Sequence, residues 1–171
     1  MSTPTVRTAL LLLLWSLVGL PLLARADVYD DVERLLRNGQ LERAEQLSAK
    51  HLQERPQDPQ MRLLRSRIQE ARGQHEQARE TLQALTQEYP ELPEPHNNLA
   101  VLHAREGRLQ EALEGLQRAL QARPDYTQAL ENLGDLHLSL ARQAYQRAAR
   151  TTQPSPSAAR KAEALAPLLP R

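Results

Sequence analysis

Histidines are the residues of this chain whose type and spacing could most readily support chemistry. Five occur, at positions 51, 75, 96, 103 and 137. A zinc site would need several ligands that converge from fixed spacings. His96 and His103 are seven residues apart, which places them on one face of a helix, and His103 and His137 are 34 apart. We expect these three to be partly buried packing residues, and we predict no metal site.

Serines and carboxylates are the other candidates for catalysis. Ser48, Ser66 and Ser139 lie in segments of helical pattern, and no paired base accompanies them. The sequence has no zinc-protease helix, phosphate-binding loop or nucleophile elbow. Its carboxylates stand close to arginines, as in LERAEQ, which is typical of solvated helix faces. We therefore predict a protein without enzymatic activity and without a cofactor.

Composition limits both the fold and the partners. Phe is absent, aromatic residues are 3% and Cys is 0. A core of Leu and Ala favours closely packed helices over a large β-sandwich. Without cysteine, disulfides and thiolate metal sites are excluded. The 22 basic and 21 acidic residues give a net charge of +1, which gives no reason to expect nucleic acid or an anionic membrane as partner.

The first 26 residues have the three-part pattern of a secretory signal peptide. Arg7 precedes an uncharged apolar run from Thr8 to Leu23, and small residues stand at Ala24 and Ala26. A membrane-spanning helix needs about 20 apolar residues, so this run is short. We expect cleavage after Ala26 and a periplasmic protein if the source is Gram-negative. The alternative is an uncleaved signal that anchors the chain in the inner membrane.

The remaining chain repeats with a period of 34 residues. Three residue types recur at this spacing: Gly39, Gly73 and Gly107; Ala44, Ala78 and Ala112; Pro56, Pro90 and Pro124. The glycine suits a left-handed turn after a helix, and the alanine lets two helices approach closely. The proline ends the second helix. Each unit is therefore a helix–turn–helix that must stack on its neighbours to bury its apolar face.

This pattern of length, glycine, alanine and proline resembles the tetratricopeptide repeat (TPR) family. The resemblance implies an all-α, right-handed solenoid over residues 27–150, with three full units and a modified fourth unit as a cap. We place the units at about 25–58, 59–92, 93–126 and 127–150. Numbered within a unit, the packing positions are 4, 7, 8, 11, 20, 24 and 27. In the third unit these are His96, Leu99, Ala100, His103, Ala112, Leu116 and Ala119.

The second and fourth units depart from the family pattern. The second has Arg62, Arg65, Ser66 and Gln69 at the first four packing positions, and its apolar stripe is Met61, Leu64, Ile68 and Ala71. Either the helix is rotated or the arginines lay their methylenes on the core; the second alternative allows a basic group placed beside the ligand groove. The fourth lacks glycine and proline between Asp135 and Arg150, so we predict one helix over 127–150. A proline-rich break follows in residues 151–171, with a short last helix, docked or frayed.

The resemblance also implies a ligand groove on the concave side, lined by the first helix of each unit. The predicted groove residues are Arg67 from the second unit, Glu94, Asn97, Asn98, Val101 and Arg105 from the third, and Gln128, Glu131, Asn132 and Asp135 from the fourth. Asn98 and Asn132 are 34 apart, and a column of amides can pair with an extended peptide backbone. The alternative is that these amides cap local backbone groups. The basic residues of a carboxylate clamp are absent.

The function that we expect is a non-enzymatic periplasmic adaptor that binds a peptide or protein segment. Residues 90–107 and 131–148 resemble repeat segments of proteobacterial envelope proteins, which implies a role near peptidoglycan remodelling, secretion or pilus assembly. One alternative is a polysaccharide- or cell-wall-binding accessory protein, which the shortage of aromatic residues disfavours. The other is a self-assembling scaffold, and a homodimer is then expected.

Overall fold

The computed structural model describes residues 27–169, which form helices and turns but no strand. The signal peptide, its cleavage site and the anchor alternative lie outside these residues. The eight α-helices of the described part are α1 Val28–Arg37, α2 Leu41–Glu54, α3 Pro59–Ala71, α4 His75–Glu88, α5 Pro93–Arg105, α6 Leu109–Ala122, α7 Thr127–Ala149 and α8 Pro156–Leu165. A short 3-10 helix, Ala166–Leu168, follows. None of these described helices has the length and apolar character that crossing a membrane requires.

Glycine makes the turn between the two helices of each full unit. Gly39, Gly73 and Gly107 have φ angles of 68°, 75° and 76°. In the first of these turns, the N–H of Gly39 donates to the carbonyl of Leu36 at 3.1 Å and that of Gln40 to Leu35 at 2.9 Å. Residues with a Cβ rarely adopt this left-handed conformation, so the predicted role of the repeated glycine is confirmed.

The repeated alanines and prolines also lie where the period places them. Ala44, Ala78 and Ala112 are 0% exposed, as a close helix contact requires. The second helix of each full unit ends two residues before its proline, at Glu54, Glu88 and Ala122. Proline lacks an N–H and clashes with the preceding turn, which explains these ends.

The helix pairs stack into a solenoid with a core shared between neighbouring units. One buried cluster joins Val32 and Ala44 of the first unit to Met61, Leu64 and Ile68 of the second. Further clusters link the second unit to the third and the third to α7. Because each unit buries its apolar side chains on the next, the array is one continuous all-α solenoid.

In the second unit α3 is not rotated, and Arg62 and Arg65, at two of its packing positions, do not line the ligand groove. Ser66 and Gln69 are buried, so α3 keeps the register of the family pattern in spite of its polar residues. Its apolar stripe faces the first unit instead, since Met61 and Ile68 belong to that core cluster. Arg62 lies along the surface, and its guanidinium donates to Glu88 of α4 at 2.5 and 3.0 Å, which fits the snorkelling alternative.

In the fourth unit α7 runs without a break from Thr127 to Ala149, as predicted. The helix α8 then docks on its C-terminal half and buries Ala158 and Ala162. The prediction that His137 is a packing residue is wrong, because its side chain is exposed. In a full unit a second helix covers this position, as α6 covers the equivalent and buried His103. Here the chain that would form that helix continues straight on.

Candidate functional site

The first helices of the second, third and fourth units wall one groove of about 490 Å³, which we call the A-helix groove. Its lining residues are Leu63, Arg67, Glu70, Glu94, Asn97, Asn98, Val101, Arg105, Tyr126, Gln128 and Asn132. Eight of the ten predicted groove residues are therefore brought together. Of the other two, Asp135 lines an adjoining pocket, and Glu131 is exposed and lines neither cavity.

Three asparagines form a hydrogen-bonded network across two units. The Nδ2 of Asn132 donates to the Oδ1 of Asn97 at 2.8 Å, and the Nδ2 of Asn97 donates to the Oδ1 of Asn98 at 3.2 Å. Asn97 is 2% exposed, so this residue links the units and is not free to face a ligand as predicted. Its own amide thus fixes the side chains of both partially buried neighbours.

The network leaves the amide group of Asn98 and the amide oxygen of Asn132 available at the groove. Within residues 27–169, no protein group accepts a hydrogen bond from the Nδ2 of Asn98 and none donates to the Oδ1 of Asn132. Neither side chain bonds a backbone group in that range, so the capping alternative has no contact to support it. An extended peptide offers the matching pair, a backbone C=O and a backbone N–H.

The groove arginines pair with acids of the preceding unit. The Nη1 atom of Arg67 lies 3.3 Å from the Oε1 atom of Glu33, and the Nη1 atom of Arg105 lies 3.1 Å from the Oε2 atom of Glu70. Burial raises the pKa of Glu70, and the charge of Arg105 opposes that rise. Pairs whose arginines remain exposed contribute about 0–1 kcal/mol each, so a ligand carboxylate can compete for these guanidinium groups.

Tyr126 is a groove residue that the sequence reasoning missed. It precedes α7 as its N-cap, and its ring lies 5.1 Å below the guanidinium of Arg123. That arginine also pairs with Glu94 at 2.8 Å. Burial, followed by the negative charge of Glu94, raises the pKa of Tyr126. Tyr126 lies in the loop between Pro124 and α7, and the family pattern selects groove residues only from within helices. Its place directly before α7 is the one sequence feature that could have indicated this role.

A second polar cluster joins the first two units away from the groove. Asp58, the N-cap of α3, accepts hydrogen bonds from the hydroxyl of Tyr29 at 2.5 Å and the backbone N–H of Met61 at 3.1 Å. The Nε2 of His51 lies 2.7 Å from the same carboxylate. In some active sites a histidine paired with an aspartate acts as a general base. Here the pair, together with Tyr29, holds α1, α2 and α3 to one another. Within residues 27–169 no group of three or more potential ligands is placed to hold a metal ion.

The fold and its groove define an α-solenoid repeat protein. Two tetratricopeptide repeat family models match the chain, one over residues 35–102 and the other over residues 97–159. The chain therefore belongs to the tetratricopeptide repeat family. Proteins with this fold generally mediate binding between proteins, and the fold is typically a non-catalytic scaffold.

Solved structures share the fold at low sequence identity. A structure of Naa15/Naa10 bound to HypK-THB has a TM-score of 0.60 and 16% identity, and the alignment covers 84% of this chain and 22% of that one. A tetratricopeptide repeat protein from Parabacteroides merdae ATCC 43184 has a TM-score of 0.54 and 20% identity, over 81% of this chain and 57% of that one. This chain thus spans less than two thirds of either. No curated protein sequence matches it.

Proposed function

We propose that this chain is a non-enzymatic adaptor that binds an extended peptide or protein segment in the A-helix groove. The observation that carries the proposal is the asparagine network, which presents a free donor at Asn98 and a free acceptor at Asn132 on successive units. Because the two amides are held by Asn97, little side-chain entropy is lost when they bind a ligand.

The charges of the groove favour a polar peptide over a polyanion. Its arginines are already paired with glutamates, and the groove carries both signs along its length. Amide contacts to a peptide backbone do not read side chains. Affinity would therefore come from the backbone, and selectivity from the few charged and apolar contacts around it.

Replacing both Asn98 and Asn132 with Ala should abolish or strongly reduce capture of the partner from envelope extract. Each lost neutral hydrogen bond weakens binding by about 0.5–1.5 kcal/mol, so the double variant should bind about 5- to 150-fold less tightly. The measurement is a quantitative pull-down from extract with the purified protein as bait. Asn38→Ala is the matched control, since Asn38 is an exposed asparagine at the end of α1, outside the groove.

An unchanged partner set at unchanged yield, in a double variant with a native circular dichroism spectrum, would refute the groove assignment. Loss of capture by the Asn38 variant as well would mean that the effect is not specific to the groove.

The proposal places the adaptor in an exported compartment, the periplasm of a Gram-negative cell, with a role in envelope assembly. Its support is the signal-like pattern of residues 1–26 and the resemblance of the repeats to those of envelope proteins. We predict that the native protein begins at Asp27. Intact-mass spectrometry of protein purified from its own cells tests this. A peptide that contains Arg7 in that material would favour the anchored form.

A further inference from the structure

An apolar pocket of about 430 Å³ continues the A-helix groove toward α7. The two cavities share Val101, Arg105 and Asn132, so a peptide bonded to the asparagine network extends directly into it. Its apolar wall is built from Leu109, Leu116 and Leu136 together with two alanines of α5. A pocket of this kind takes an aliphatic side chain, because burial removes apolar surface from water on both sides.

A leucine from the same chain forms part of the pocket wall. After α8 and the 3-10 helix, the segment returns to α7, and Leu169 lies among the lining residues. Its neighbour Leu168 points away and is 61% exposed.

The polar part of the pocket wall has one acid, Asp135, and one base, Arg105, which already pairs with Glu70. The other groove acids, Glu70 and Glu94, each pair with an arginine. Asp135, by contrast, forms no ion pair with any cation of residues 27–169. Its partly buried carboxylate would be stabilised by a positive charge beside the aliphatic side chain.

We propose that this pocket holds one aliphatic side chain of the partner peptide, that Asp135 pairs with a basic residue near that side chain, and that Leu169 covers part of the same apolar wall until the peptide displaces it. The proposal rests on the proposed function, because it assigns the partner of the same groove. The chain's own segment has the required composition, with Leu169 followed two residues later by Arg171.

Binding of a labelled copy of that segment tests the proposal without knowledge of the natural partner. The probe is the fluorescein-labelled peptide EALAPLLPR, which copies residues 163–171, and the readout is fluorescence anisotropy with the purified full-length protein. In Leu169→Ala protein the internal competitor is weakened, so the probe should bind about tenfold more tightly than to the wild type. Leu168→Ala is the matched control and should bind the probe as the wild type does.

Two further arms identify the contacts. A probe with alanine in place of the leucine that copies Leu169 should lose most of its affinity for Leu169→Ala protein. Adding Asp135→Asn to that protein should weaken the unaltered probe several-fold, and by less at 1 M salt, where a charge pair is screened.

Equal affinity of the probe for wild-type, Leu168→Ala and Leu169→Ala protein would overturn the proposal, as would failure to bind any of them. Neither result touches the asparagine test, which uses a captured partner and different residues. If instead the asparagine variant still captures its partner while Leu169→Ala behaves as expected, the pocket assignment stands and the backbone-binding role of the amides falls.

Discussion

A methyl group added at Gly115 should destabilise the protein, whereas the same group added at Gly134 should stabilise it. Both glycines lie inside helices, Gly115 in α6 and Gly134 in α7. A Cβ atom at Gly115 would lie 2.9 Å from the Cβ of Ala100 and 3.2 Å from the backbone oxygen of His96. At Gly134 it would meet nothing within 4 Å.

Both substitutions gain helix propensity, and only Gly115→Ala also overpacks a helix contact, so the two effects on stability have opposite signs. Gly→Ala in a helix interior gains about 0.5–1 kcal/mol, which Gly134→Ala should show in full. At Gly115 overpacking costs about 1–3 kcal/mol, which opposes that gain. The new Cβ would meet the backbone of α5 and the Cβ of Ala100, and neither can move aside as a flexible side chain could. We expect Gly115→Ala to lower the free energy of unfolding by about 1 kcal/mol or more.

Urea unfolding followed by circular dichroism measures both variants against the wild type. The shift should lie in the midpoint, with the slope unchanged, if each protein unfolds in one transition. Equal stabilisation by the two substitutions would show that α5 and α6 do not approach as closely as the described contacts require.

Asp58→Ala should strongly destabilise the first two units. It removes the N-cap of α3, worth about 1 kcal/mol, and leaves the Tyr29 hydroxyl and the His51 ring without their partner. Each half-buried group left unpaired costs roughly 1 kcal/mol or more, so the total should reach about 3 kcal/mol. Asp27→Ala is the matched control, because Asp27 caps α1 through the exposed N–H of Tyr29 alone. It should lose about 1 kcal/mol or less.

The pH dependence of stability distinguishes the carboxylate from a simple cap. Burial alone would raise the pKa of Asp58, but hydrogen bonds from Tyr29, His51 and Met61 together hold it below its ordinary value. An acid with a lowered pKa stabilises the fold above about pH 4 and loses that contribution as pH falls through its folded-state value. The stability difference between wild type and Asp58→Asn should therefore be larger at pH 7 than at pH 3. A difference independent of pH would mean that only the cap matters.

Tyr29 makes the stability of the fold depend on pH in the alkaline range as well. Its hydrogen bond to Asp58, and then its burial, raise its pKa above 10. A group with a raised pKa stabilises the fold below its ordinary pKa, and this contribution disappears as pH rises through the folded-state value. Both pH dependences arise from the same carboxylate.

The 34-residue period predicted structural roles best at positions where only one residue type fits the structure. Gly107 needs a left-handed backbone, and Ala112 needs a short side chain, so each could be assigned from its spacing alone. The pattern was less informative where a helix has two partners. In α3, Met61 and Ile68 face the first unit, while Gln69 accepts a hydrogen bond from Thr81 of the partner helix α4. A pattern built for one face cannot describe both.

Contacts across units were the part of the candidate site that the sequence could not supply. Asn97 was placed in the groove by its position, yet the structure buries it as the link between Asn98 and Asn132. Asp58 and Tyr126 lie at unit boundaries, outside the positions that the family pattern describes. The prediction for His137 was wrong for a related reason. Its burial would have required a second helix, which the fourth unit does not form.

A groove shared by three successive units also links binding to folding. A partner that touches α3, α5 and α7 at once binds only the stacked array, so it stabilises the interfaces between units as well as the units themselves. At a partner concentration 100-fold above its dissociation constant, this linkage adds about 2.7 kcal/mol to the free energy of unfolding. Conversely, loosening of the α5–α6 contact at Gly115 would lower affinity without altering one groove side chain. The partner and the packing of the repeats are therefore thermodynamically coupled.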